Sequence, residues 1–326
     1  FQNGLPADFR LIGATTRTPN EIPPAIRSRC VEVFFRELDR DEIITVAKKA
    51  ANKVRMDISE EGLSLFSTYA RNGRETVNMM QIAAGLAISE ERTDIKNEDI
   101  EWIVHSSQLS PRHDPKIADE EKVGLINGLA VYGPNSGALL EIEVKAIPAK
   151  EKGNIIITGI VEEESIGTQG KSIRRKSMAK SSIENVITVL RSMDVPADEY
   201  DIHVNFPGGV PIDGPSAGIA MATGIYSAIY EVPIKHTVAM TGEIGLHGNV
   251  KPIGGVIPKI KAAKQAGVQT VIVPKENMNA MVEKVKGIDI IPVHHLTEVF
   301  EQALLSVHEH VAHLSVDPAI PNRESS

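Results

Sequence analysis

The sequence predicts a multidomain chain of the α/β (α+β) kind: a short strand-containing edge, an all-helical segment, then a longer segment of alternating strands and helices. Three observations carry that prediction. Between residues 39 and 108 apolar residues recur at helical spacing, with Asp39 or Asp41 placed where the first helix begins. Over residues 124–305 the pattern changes, as where Leu140, Ile142 and Val144 alternate with Glu141, Glu143 and Lys145. Between the two, residues 109–116 are polar and hold Pro111 and Pro115, the composition of an interdomain linker. A chain of 326 residues is long enough for about two or three domains.

A hydrophobic share of 42% and a charged share of 24% are those of a soluble globular protein. A net charge of −8 speaks against a general nucleic-acid binder, so nucleic acid is not an expected partner. The one cysteine, Cys30, allows no internal disulfide and fits a reducing compartment. No apolar run is long enough to span a bilayer and no signal peptide is present, so no membrane partner is indicated and a cytoplasmic location is expected. The chain opens without methionine and reads as a fragment, so a preceding anchor would be invisible.

Residues 11–16 read as a short buried strand ending in two hydroxyls, Thr15 and Thr16. A polar loop over 17–24 and the run Ala25-Ile-Arg-Ser-Arg-Cys30 follow, then a second strand-like run over 31–35. The helical segment begins with Asp39 or Asp41 as cap and Ile43, Ile44, Ala47 and Ala50 on the inner face. A second helix carries Leu63, Phe66 and Tyr69; a third starts near Gly73 and runs through Met79, Ile82, Ala83 and Leu86; a fourth covers 100–104, including Trp102. Strands follow over 126–132, 140–144 and 154–160, then a long helix over 172–193 with Ile173, Met178, Ile183, Val186 and Leu190 at helical spacing. Its basic residues, Lys171, Arg174, Arg175, Lys176 and Lys180, read as a solvated face or as a partner contact. Further strands are expected over 201–205, 237–240, 269–273 and 288–293, with a last helix over 296–305. The polar tail, 306–326, is expected to be disordered, and His308, His310 and His313 lack the framework of a metal site. The segments are therefore set at 1–36, 37–108, 109–123, 124–305 and 306–326. Residues 165–172 have serine where a phosphate-binding loop needs its first glycine and follow acidic residues, so no nucleotide cradle is expected there.

Two stretches carry chemistry. In the first, residues 211–222, Pro215 suits a first helical turn and Ser216 follows it at the helix start. A hydroxyl there is either an N-cap or a nucleophile beside N–H groups that can bind an oxyanion. The second, residues 241–259, ends in Lys259 between Ile257, Pro258 and Ile260, company that can push a lysine below its usual pKa of about 10.4. Lys261 and Lys264 lie on the same segment, so a solvated lysine is the alternative. Together the stretches resemble the proteolytic domain of the Lon family, whose signature Asp-Gly-Pro-Ser-Ala-Gly stands unbroken at 213–218. The resemblance implies Ser216 as nucleophile and Lys259 as general base, later the acid that protonates the leaving amine. It implies that Thr241 hydrogen-bonds the lysine, the alternative being a strand-end hydroxyl. N–H groups around Ser216 and Ala217 become the oxyanion donors. Asp213 either tethers the lysine in an inactive state or shapes the turn, and His203 is either near the site or a strand residue facing solvent.

The first 108 residues resemble the C-terminal edge of an AAA+ ATPase core followed by its helical lid. That resemblance implies Thr16, with Thr15 close behind, as sensor-1, Arg29 of Ser28-Arg29-Cys30 as the finger reaching a neighbouring subunit's nucleotide, and Arg74 as sensor-2. Arg27 competes for the finger role, and a solvated side chain is the alternative for each arginine. The joint resemblance is to an ATP-dependent Lon protease of the B type. It implies unfolded protein or peptide substrates, a homo-oligomer that is a hexameric ring, and ATP with Mg2+ in the full-length protein but no cofactor for the peptidase step. With no phosphate cradle, this chain is not expected to hydrolyse ATP efficiently. Two other readings are a branch-migration-type motor on nucleic acid, from Gly13-Ala-Thr-Thr-Arg17, and a non-catalytic Lon-like module; neither accounts for the Ser216 and Lys259 pair.

Overall fold

Three helices of the all-helical segment start where a short polar side chain takes an unpaired N–H. In the computed structural model, which describes residues 10–17, 21–33, 35, 37–112, 116–132, 136–159, 163–166, 173–176, 178–207 and 214–306, the chain forms two compact units, Phe1–Phe35 and Arg36–Ser326. In the first unit a single turn, α1 (Pro24–Arg27), opens with proline. In the two runs expected as strands, 11–16 and 31–35, the described residues are irregular. Ile12 is 96% exposed and Val31 91%. An apolar run becomes a strand only when a neighbour takes its N–H and C=O groups, and among the described residues neither run has one.

The second unit opens with α2 (Arg40–Val54). Asp39, not Asp41, is its cap: the carboxylate accepts the Glu42 N–H at 2.9 Å while Glu42 accepts the Asp39 N–H at 3.0 Å. α3 (Glu60–Tyr69) is capped by Ser59 and α4 (Gly73–Ser89) by Asn72; α5 (Asn97–Ser106) completes the group. Two-residue strands β1 (Asp57–Ile58) and β2 (Asp94–Ile95), too short to show a period in the sequence, pair in parallel between the helices. Ile43, Ala47, Leu63, Phe66, Met80, Ala83, Ile100 and Ile103 form the core. Ile82, expected in that core, is 45% exposed, because Met79, Met80, Ala83, Ala84 and Ala87 occupy the inward stripe of α4. The following segment is anchored at both ends: the Arg112 N–H donates to Thr68 O (2.7 Å) and the Ile117 N–H to Ala266 O (3.3 Å).

The strand and helix alternation becomes a seven-stranded sheet. Its strands are β3 (Leu125–Tyr132), β4 (Ser136–Pro148), β5 (Ile155–Thr158), β8 (Tyr200–Asn205), β9 (Val238–Met240), β12 (Thr270–Pro274) and β13 (Asp289–Val293), in the order β13-β12-β9-β3-β4-β8-β5. β4 alone runs against the rest of this sheet. Outside it lie the hairpin β6 (Glu163–Ile166) with β7 (Ile173–Lys176) and the short pair β10 (Glu243–Ile244) with β11 (Val250–Lys251). The helix expected over 172–193 starts later, as α6 (Met178–Ser192), because residues 173–176 pair with β6. The register sets Glu163 opposite Lys176 and Ile166 opposite Ile173, so the backbone here pairs across a ladder instead of continuing the helix.

Adjacent residues of the strands serve opposite faces. On one face Ile142, Leu140 and Ile272 pack with α6, α7 (Gly218–Tyr230) and α9 (Leu296–Ala303). On the other, Leu139, Val271 and Val273 pack with α8 (Val256–Gln265). α7 is apolar all round, and residues 218–229 are buried, as befits a helix lodged between sheet and neighbours. Among the described residues no helix is long and apolar enough to cross a membrane. Removing the Asp39 cap by Asp39→Ala is expected to lower stability by about 1 kcal/mol, read as a lower urea midpoint at unchanged slope.

Candidate active site

The site forms at the C-terminal end of β9, where helices from the two faces of the sheet meet. β9 ends at Met240, and Thr241 behind it is fully buried, its N–H on Ile272 O at 3.1 Å. The next residue clamps the turn that carries Ser216: the Gly242 N–H donates to Ser216 O at 2.8 Å, and Gly242 O accepts the Ile219 N–H at 3.2 Å. Ser216 lies within the single 3-10 turn Pro215–Ala217 that precedes α7. The cap positions of that turn and of α7 belong to Gly214 and Ala217, and neither makes a side-chain cap bond, so Ser216 is not the N-cap. It is half-buried, while Ala217 is buried.

Lys259 comes from α8 on the other face. Gly255, with φ 65°, starts that helix in a left-handed conformation that suits glycine, and Gly255 O accepts the Lys259 N–H at 3.2 Å. The lysine side chain is 2% exposed. Its Nζ donates to Thr241 Oγ1 at 2.9 Å, and Thr241 Oγ1 donates onward to Ser216 O at 3.3 Å. Among the described residues no carboxylate pairs with the lysine. Burial therefore acts unopposed and pushes its pKa down to about 8. Ile257 and Pro258 are only half-buried, so the desolvation comes from the packing of α8 on the sheet more than from neighbours in sequence.

That packing depends on a residue the sequence reading passed over. A Cβ on Gly137, at the start of β4, would lie 2.0 Å from Pro258 O and 2.9 Å from the Lys259 nitrogen. Only a strand without a side chain there lets the backbone of α8 approach so closely. The signal was available, since a glycine inside a strand pattern often marks such an approach.

Within the second unit, His203 and Arg74 are not drawn into this cluster. His203 lies on the exposed face of β8, with Nε2 3.0 Å from Thr158 Oγ1. Arg74 is exposed in the first turn of α4. Within the first unit Thr16 is exposed, and the exposed Arg29 guanidinium donates to Ala25 O at 2.7 Å, while its competitor Arg27 pairs with Glu32 at 2.7 Å. Asp213 and the histidines of the tail lie outside the described residues. Among the described residues no cluster of His, Cys, Asp or Glu is placed to hold a metal ion.

Residues 95–306, which contain this whole arrangement, match the Lon protease (S16) C-terminal proteolytic domain. The chain belongs to the Lon protease family. It is 68% identical over 306 residues to Lon protease 2 of Bacillus subtilis (strain 168), covering 94% of this chain and 55% of that protein. To the archaeal Lon protease of Halobacterium salinarum it is 31% identical over 346 residues, covering 92% of this chain and 47% of that protein. It thus spans about half the length of these Lon relatives. The match is to a serine peptidase domain.

Two outcomes are expected of this Lon domain. Below pH 8 folded and unfolded chains both hold the Lys259 proton, and the full cost of burying the ammonium is present, about 3 kcal/mol for a shift of this size. Between pH 8 and about 10.4 only the unfolded chain keeps the proton, so stability rises with pH. Lys259→Met should therefore raise the thermal midpoint at pH 7, with the gain shrinking as the pH approaches 10. Gly137→Ala should displace α8, lowering stability by on the order of 2 kcal/mol and exposing Lys259, which amine titration would read as a pKa moved back up.

Proposed function

We propose that the chain hydrolyses peptide bonds with Ser216 as nucleophile and Lys259 as general base. The observation that carries this reading is the desolvated lysine, joined through Thr241 to the main chain of Ser216. A lysine held near pKa 8 is partly neutral at working pH and can take the hydroxyl proton as Ser216 Oγ attacks the substrate carbonyl. The N–H groups of Ser216 and Ala217, at the positive end of α7, are placed in the sequence to receive the oxyanion. Lys259 then hands the proton to the leaving amine, leaving an acyl-enzyme. A water molecule, deprotonated by the same lysine, attacks the ester and frees Ser216. Thr241 orients Lys259, since one hydroxyl accepts from Nζ and donates to Ser216 O. Asp213 as a tether of the lysine and His203 as a residue near the site are proposed on the family resemblance alone.

The wider role follows the same resemblance: a bacterial, B-type, cytoplasmic ATP-dependent Lon protease acting on unfolded or regulatory proteins as a hexameric ring. Thr16, Arg29 and Arg74 would sense ATP and Mg2+ there, Arg29 with a planar fork of donors suited to phosphate oxygens.

Cleavage of an unstructured fluorogenic peptide tests the dyad. Ser216→Ala and Lys259→Ala should each lower kcat by at least about 10³-fold, and kcat/KM of the unaltered chain should rise with pH to a plateau, with a midpoint near 8. Cleavage that survives either substitution with folding intact would overturn the assignment.

A further inference from the structure

Hydroxyls on the helices of this molecule usually turn back on their own helix. Thr188 Oγ1 donates to Glu184 O (2.8 Å), Ser192 Oγ to Val189 O (2.7 Å) and Thr223 Oγ1 to Ile219 O (2.8 Å). Ser182, in the second turn of α6, does not. It is 3% exposed, and its Oγ has no hydrogen-bond partner among the described residues. His236 Nδ1, likewise buried without a hydrogen bond, at least lies 3.3 Å from the Glu121 carboxylate. An unpaired buried hydroxyl costs free energy that alanine in the same place would avoid.

The Ser182 hydroxyl is aimed at the nucleophile's turn. A Cβ on Gly218 would lie 3.3 Å from Ser182 Oγ and 3.0 Å from the Ile244 nitrogen, so the serine rests against the main chain two residues beyond Ser216. This is the stretch whose other side is fixed by Gly242, through Ser216 O and the Ile219 N–H. We infer that Ser182 is a positioning residue for the Ser216 turn. Its hydroxyl is held in reserve beside Gly218 and hydrogen-bonds the main chain of residues 216–218 when a peptide occupies the site. The bond fixes the Ser216 and Ala217 N–H groups on the developing oxyanion. Ser182 touches neither the substrate nor the reacting atoms; it acts through the turn. The inference rests on the Ser216 and Lys259 reading of the site.

The test compares the purified chain with Ser182→Ala and Ser216→Ala, measuring thermal midpoint, kcat and KM on an unstructured fluorogenic peptide across pH. Ser182→Ala should melt at the same or a higher temperature, lose about tenfold in kcat, and keep both KM and the midpoint of the pH profile. An unchanged kcat would overturn the inference, as would a fall in melting temperature together with kcat, which marks a merely structural serine. Cleavage that persists in Ser216→Ala, or an unaltered chain that cuts no peptide, would overturn the dyad reading and this inference with it.

Discussion

A nitrogen able to carry a full charge is held where water cannot reach it, with the Thr241 hydroxyl as its bond. Burying Lys259 is the constraint around which the rest of the domain is arranged. The cost of its desolvation is met by the packing of α8 on the sheet, and that packing closes only because Gly137 has no side chain to hold the helix off. Loosening this contact would return the lysine to water and to the charged form, so a packing defect here is also a change of chemistry.

Thr241 links groups that arrive from the two faces of the sheet. β9 ends there, α7 starts nearby through the Gly242 bonds, and α8 delivers Lys259 from the opposite side. A hydroxyl suits the position better than an amide or a carboxylate. It accepts from the lysine and donates to Ser216 O with one oxygen, and it adds no charge that would hold the lysine protonated.

Much of this was legible in the sequence, for reasons that differ from element to element. The helices between 39 and 108 declared themselves by period, while the choice between Asp39 and Asp41 as the first cap waited on the bond to Glu42. Ser216, Thr241 and Lys259, which the structure joins, were each singled out from two short stretches. What was not legible depends on partners remote in sequence. Residues 173–176 have helical spacing, yet they form a strand because their backbone pairs with β6. Residues 11–16 have the composition of a strand, yet a strand needs a neighbour that no local pattern reveals. Ile82 fits the helical stripe by count, but the small residues beside it fill the inner face first. Ser182 became visible only when the Ser216 turn lay against it.

That Lys259 and the Ser216 turn arrive from opposite faces of one sheet ties this cluster to the completion of folding. In an extended chain the lysine is solvated and protonated. Neither half of the domain, collapsed alone, joins Lys259 through Thr241 to the main chain of Ser216. The desolvated lysine therefore exists only once both layers have closed over the sheet.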